Sequence, residues 1–303
     1  MIETESHRAA SKTLLAMGDL YFSGARVLPS IKLRLSPILI GPTGCGKSYL
    51  VEQAAQELDA DYLKVTRGDW LVTGSRAGRS TMYQILDHVV SHDRVLVHLD
   101  ELDKFNDLRS GEWAASIGTD LWNLLDGKFQ VHEYLRETTF PDGKKPTTLA
   151  IALRIRSKLW IVGSGTWQEV FERSRSGNSV GFQGAQNVGT VDLGAIAKSG
   201  IISPELLHRF NGDPIFVDYP SREETAEILE SSGIARLARQ ANTPIAPGDI
   251  DWTQGGMRVL ETIATRLLLE CHRRRLPHQV MIPLPNDRPG PEDRCPNKGP
   301  QSA

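Results

Sequence analysis

Cysteine is scarce in this chain. The three present, Cys45, Cys271 and Cys295, are odd in number and widely spaced. That argues against a disulfide framework or a zinc site built on them, and it points to a reducing interior, the cytosol. Long hydrophobic runs are missing too, since none approaches the roughly 20 residues of a membrane helix. The first eight residues, Met1-Ile-Glu-Thr-Glu-Ser-His-Arg, carry acids and no apolar stretch, so they do not read as a signal peptide. A large excess of one charge is also lacking. The net value is −2, which gives no general pull toward nucleic acid or an anionic membrane. What is present is ordinary for a globular protein: 303 residues, 40% hydrophobic and 24% charged. That suffices for one large domain or two modest ones, with a sizeable core.

The pattern along the chain alternates strand and helix. Helical spacing marks 10–23, 46–58, 80–91 and 112–126, and short apolar or mixed runs at 33–40, 61–66, 95–99, 159–162 and 214–217 read as strands. Val95–Leu99 suits a strand buried on both faces. Strands alternating with helices predict an α/β fold of three layers around a parallel sheet. After Tyr219-Pro220 only helical spacing remains, over 221–241 and 255–276. The predicted organisation is an N-terminal helical segment (1–30), an α/β domain (31–220), a small helical subdomain (221–282) and a tail (283–303). Six prolines and few core formers make that tail a disordered one by composition.

Residues 41–48 read Gly-Pro-Thr-Gly-Cys-Gly-Lys-Ser, between an apolar strand and a helix. This is a phosphate-binding loop with a physical rationale. Gly41, Gly44 and Gly46 let the backbone turn so that its N–H groups face phosphate oxygens. The helix that follows, through Tyr49, adds its positive end to the same charge. Lys47 can reach the β and γ phosphates, and the Ser48 hydroxyl can ligate Mg²⁺. Pro42, Thr43 and Cys45 belong to the loop by position. The implied cofactors are ATP and Mg²⁺.

Such a loop needs a second element to hold the metal and orient water. Val95-Leu-Val-His-Leu-Asp100-Glu101 supplies one, because two acids at the end of a buried strand must sit at its tip. Asp100 would hold Mg²⁺ through water, and Glu101 would be the general base. A GTPase should carry Asn-Lys-x-Asp and a transporter ATPase Leu-Ser-Gly-Gly-Gln; both are absent from the sequence. A small-molecule kinase has little use for the second acid. Hydrolysis of ATP is the reading that remains.

With these residues in view, the sequence resembles the AAA+ ATPases of the ClpX/HslU branch. Asp100-Glu101-Leu102-Asp103-Lys104 looks like the extended Walker B of that branch. Ser110-Gly111-Glu112 and 121–127 are similar to the helix after it, and Leu159–Trp167 to the sensor 1 strand. Ile202–Phe210 resembles the segment carrying the arginine finger, and Gly255-Gly-Met-Arg258 the sensor 2 turn. The resemblance implies that Arg209 reaches the γ-phosphate of a neighbouring subunit, that Arg258 is sensor 2, and that Ser164 is the sensor 1 candidate with Thr166 next to it. A finger acting in trans implies a ring, a homohexamer.

The same branch grips protein chains with an aromatic pore loop. In this chain Trp70, Leu71 and Val72 could supply that grip from a shifted position, while Gly74–Gly78 has no aromatic. Arg76 and Arg79 could instead face a polyanion. Val180-Gly181-Phe182, inside a glycine-rich polar loop, resembles the tripeptide that docks into a ClpP-type peptidase, an apolar anchor for a partner pocket. A zinc-binding N-terminal domain of the ClpX type is not expected from residues 1–30. Three readings follow: a ring ATPase that remodels protein substrates, a nucleotide-gated switch or scaffold, and a nucleic-acid motor, the last disfavoured by the net charge.

Overall fold

In the computed structural model the described residues are 4–24, 35–70, 80–104, 112–138, 146–167, 208–210 and 214–274. The predicted strands assemble into one sheet. They are β1 (Ile38–Ile40), β2 (Asp61–Val65), β3 (Val95–Leu99), β4 (Leu159–Gly165) and β5 (Ile215–Phe216), in the order β2-β3-β4-β1-β5. Every pairing is parallel. Parallel neighbours require crossovers, and helices supply them: α2 (Lys47–Glu57), α3 (Thr81–Ser91), α4 (Glu112–Asp126), α5 (Val131–Glu137) and α6 (Thr148–Lys158). The α/β expectation of a parallel sheet between helical layers therefore holds.

The strands alternate their side chains between two cores, as the period of two requires. Ile38, Ile40, Val95, Val97, Leu99 and Ile161 face one cluster, shared with helices α3 to α6. Leu39, Leu96, Trp160 and Val162 face the other, shared with α2 and with α1 (Glu5–Phe22). The pattern predicts α1 from residue 10, yet it starts at Glu5. Thr4 accepts a hydrogen bond from the His7 N–H while the His7 ring faces the Thr4 N–H. This reciprocal cap satisfies amides that a helix start otherwise leaves open. Helices α5 and α6 have no counterpart among the sequence expectations.

Beyond the sheet lie α7 (Arg222–Ser231), α8 (Ile234–Gln240) and α9 (Arg258–Arg273). The sequence predicts one helix over 221–241. Gly233, at φ 75°, splits it, because that left-handed backbone cannot continue a right-handed helix. Predicted residues 255–257 likewise form a turn ahead of α9, not its first turn. Ile228, Leu237, Trp252, Leu260 and Leu267 form a third core of their own. Among the described residues no helix is long and apolar enough to cross a membrane.

Candidate nucleotide site

Two strand ends meet at one edge of the parallel sheet. β1 runs into the 41–48 loop, and β3 runs into Asp100. The loop turns as the glycine spacing requires, with Gly44 at φ 78° and Gly46 at φ 95°. Gly41 has no room for a side chain, since a Cβ there would stand 2.0 Å from the Val217 carbonyl oxygen. Gly46 then starts α2 without a side-chain cap. Its first amides are left for a ligand, and they carry the positive end of the helix dipole. Lys47 is buried and its Nζ donates to the Gly41 and Pro42 carbonyls, both at 2.8 Å. The ammonium thus lies along the inside of the loop. Burial pushes the Cys45 thiol up, out of the nucleophilic range at neutral pH. Tyr49 is exposed on the first turn of α2.

Ser48 joins the two strand ends. Its hydroxyl donates to Asp100 Oδ2 at 2.8 Å. Lys64 approaches the same oxygen at 2.6 Å. The other oxygen, Oδ1, accepts from Ser164 at 2.6 Å and from the Glu101 N–H at 2.9 Å. Burial would raise the Asp100 pKa, but the neighbouring His98 and the hydrogen bonds from Lys64, Ser164 and Ser48 hold the carboxyl well below the usual range. It is therefore ionised at neutral pH. Two hard oxygen donors side by side, one of them a firm carboxylate, suit Mg²⁺.

Behind Asp100 lies a chain of buried polar groups that sequence reasoning missed. Tyr62 Oη meets His98 Nδ1 at 2.8 Å, and His98 Nε2 meets Ser164 Oγ at 2.8 Å. Ser164 gives its only proton to Asp100, so it must accept from His98. The imidazole then carries its proton on Nε2, and Nδ1 accepts from Tyr62. One neutral tautomer satisfies the whole chain. Burial pushes the His98 pKa down to about 4, which keeps that neutral form in place. The signal was in the sequence: His98 stands two residues before Asp100 on a strand, hence on the same face. Ser164, read from sequence as a sensor near phosphate, is fully buried and committed to Asp100 and His98. Its place is behind the carboxylate. Thr166 donates to Asp103 at 2.5 Å.

Glu101 follows with φ 58°, rare for a residue with a side chain. Such a conformation costs on the order of 1–3 kcal/mol and persists only where its surroundings impose it. It turns the Glu101 carboxylate out of the core, where Lys104 Nζ meets it at 2.6 Å. Arg209 pairs with Asp126 at the end of α4, through Nε to Oδ1 at 2.9 Å and Nη2 to Oδ2 at 3.3 Å. Its guanidinium also lies 5.8 Å from the Trp122 ring centre. The next residue, Phe210, is buried against Gly163, where a Cβ would crowd its ring at 3.0 Å.

Three distant segments close around the loop. His7 of α1 meets the Cys45 carbonyl at 2.6 Å, Tyr219 donates to the Thr43 carbonyl at 3.0 Å, and the Met257 N–H donates to the Gly44 carbonyl at 2.8 Å. Arg258, exposed, opens α9 directly after that last contact. Trp70 corrects an expectation. Its ring is 5% exposed and packs in the first core, so it fills the interior and is not a surface grip. Leu71, Val72, Arg76, Arg79, Val180, Gly181 and Phe182 lie outside the described residues.

Residues 37–164 match the family model described as "ATPase family associated with various cellular activities (AAA)". Over 120 residues the chain is 29% identical to the nuclear valosin-containing protein-like protein of Mus musculus. That stretch covers 39% of this chain and 14% of the relative, so the chain spans a small part of the relative's length. Both matches speak for AAA ATPases at large and not for the ClpX/HslU branch in particular.

Proposed function

We propose that this chain is an AAA+ module that binds ATP with Mg²⁺ and hydrolyses it. The observation that carries the reading is the Ser48–Asp100 contact at 2.8 Å, with the buried Lys47 on one side and the outward-turned Glu101 on the other. The amides of Gly41, Gly44 and Gly46 and the first turn of α2 would hold the phosphates, and Lys47 would leave its carbonyl partners for the β and γ oxygens. Ser48 and Asp100 would hold the metal, which when bound offsets charge on those oxygens. Glu101 would take the proton from water as the water oxygen attacks the γ-phosphorus and the bridging oxygen leaves with ADP. Ser164 and His98 fix the position of Asp100. Arg258, next to the turn on Gly44, would link the nucleotide to the helical subdomain.

The test is Glu101→Gln. The variant should bind ATP with wild-type affinity and lose at least about 10²-fold in turnover. Turnover at the wild-type rate would reject Glu101 as the base.

At a finer level we read the module as one subunit of a ring, a homohexamer that remodels protein substrates, with a ClpP-type peptidase as a possible docking partner. The order of motifs along the sequence supports this reading. A second reading, a nucleotide-gated switch or scaffold, is favoured by Trp70, because its burial removes the aromatic that would grip a threaded chain. ATP-dependent unfolding of a tagged model protein separates the two: threading predicts it and the switch predicts none.

A further inference from the structure

At the opposite edge of the sheet three metal-binding side chains converge. Asp61 is the first residue of β2, an edge strand, and pairs in register with Val95. Asp100 is five residues farther along β3, about 17 Å away at roughly 3.3 Å per residue. The cluster is therefore remote from the nucleotide site. His88 lies in the last turn of α3, and His92 caps its end. Their spacing of four puts both rings on one side of the helix. The rings stack with centres 5.9 Å apart and planes 24° apart. Both Nδ1 atoms face the same oxygen, Asp61 Oδ2: His88 in close contact, His92 at 3.3 Å. One donor atom from each residue can be chosen so that all three lie within 4.8 Å of one another.

We propose that Asp61, His88 and His92 form a site for a divalent transition ion of the zinc class. Two imidazole nitrogens and one carboxylate oxygen are a donor set for Zn²⁺ and its neighbours, and a poor one for Mg²⁺ or Ca²⁺, which take oxygen. The side chains are 25–47% exposed, so an ion can enter and solvent can complete the coordination. With no ion bound, Asp61 Oδ2 can accept from both rings, and His92 Nδ1 also faces the His88 carbonyl at 3.2 Å. An ion would replace the protons between these three side chains, as metal binding to imidazole and carboxylate requires. A bound ion would staple β2 to α3, at the side where, among the described residues, the sheet has no further strand.

The experiment titrates the full chain, free of nucleotide and in excess Mg²⁺, with Zn²⁺ by calorimetry and with Co²⁺ by visible absorption. The expected result is one equivalent bound, an intense ligand-field band for Co²⁺, a raised Tm with Zn²⁺, and no competition from Mg²⁺. His92→Ala and His88→Ala should each lose saturable binding. His92 lies beyond the helix and is half exposed, so its variant should keep the wild-type circular dichroism spectrum and ATPase rate. Absence of saturable binding in the wild type overturns the site. So does binding that survives in both histidine variants, since the ion would then sit elsewhere, or full competition by Mg²⁺.

Discussion

His98 shows how one buried residue can matter without touching a ligand. It has no contact with solvent and sits hydrogen-bonded between two hydroxyls. Above pH 6.5 the imidazole is neutral whether the chain is folded or not, and it costs nothing. As pH falls, the unfolded chain takes up a proton that the folded chain refuses until about pH 4. Unfolding is therefore favoured progressively between pH 6.5 and 4, by on the order of 3 kcal/mol in total from this residue. Asp100, whose pKa is depressed, adds a further loss only below its ordinary value of 3.8. Chemical denaturation across pH 4–7 should show this slope in the wild type and a shallower one in His98→Gln, whose amide can still donate and accept. An unchanged slope would mean that His98 titrates normally. His98→Phe removes the acceptor of the Tyr62 hydroxyl and should cost about 1–3 kcal/mol, while Ser164 keeps its bond to Asp100.

At the scale of elements, the loop after β1 is held by packing as much as by its own turns. Gly256 stands at φ 59°, and a Cβ there would lie 2.3 Å from the Gly44 carbonyl carbon. Both facts forbid a side chain. Gly256→Val should weaken nucleotide binding and lower stability by about 1–3 kcal/mol. Gly248→Ala, where nothing lies within 4 Å, should do neither. Equal behaviour of the two variants in a nucleotide titration and a thermal melt would show that the turn before α9 does not support the loop. The contrast bears on what was legible in the sequence. The strands β1, β3 and β4 and the helix α2 showed their period and composition, because each buries its apolar side chains locally. The loop showed its glycine spacing for the same reason. The contact of Gly256 with Gly44, the reach of His7 to Cys45 and the pair Arg209–Asp126 join residues 38 to more than 200 positions apart, and no local pattern encodes them. Trp70 misled for a related cause: an aromatic beside glycines reads as exposed until the core that takes it is known.

For the whole molecule the decisive residue is Arg209. If it completes a neighbour's site, it cannot remain where it is, on Asp126. That pair is partly open to solvent, 28% exposed on each side, so the ion pair itself is worth about 1 kcal/mol or less, and leaving the Trp122 ring adds on the order of 1 kcal/mol. A finger that stabilises charge in the transition state is worth more than the two together, up to about 10³–10⁵ in rate. The balance allows Arg209 to swing away when subunits assemble, with Asp126 acting as a resting place. Two variants separate this from a purely structural ion pair. Asp126→Ala should release the arginine and leave ATP turnover at the wild-type level or above it. Arg209→Ala should bind nucleotide normally and lose turnover by at least about 10³-fold. A structural pair would make the two variants alike, with the same small loss of stability and the same turnover. Mixing Arg209→Ala subunits with Glu101→Gln subunits carries the argument one step further. In a ring, a site with an intact Glu101 can be served by the Arg209 of a Glu101→Gln neighbour, so the mixture should regain turnover that neither variant has alone. A mixture as inactive as its components would place Arg209 in its own subunit's chemistry and remove the argument for a shared site.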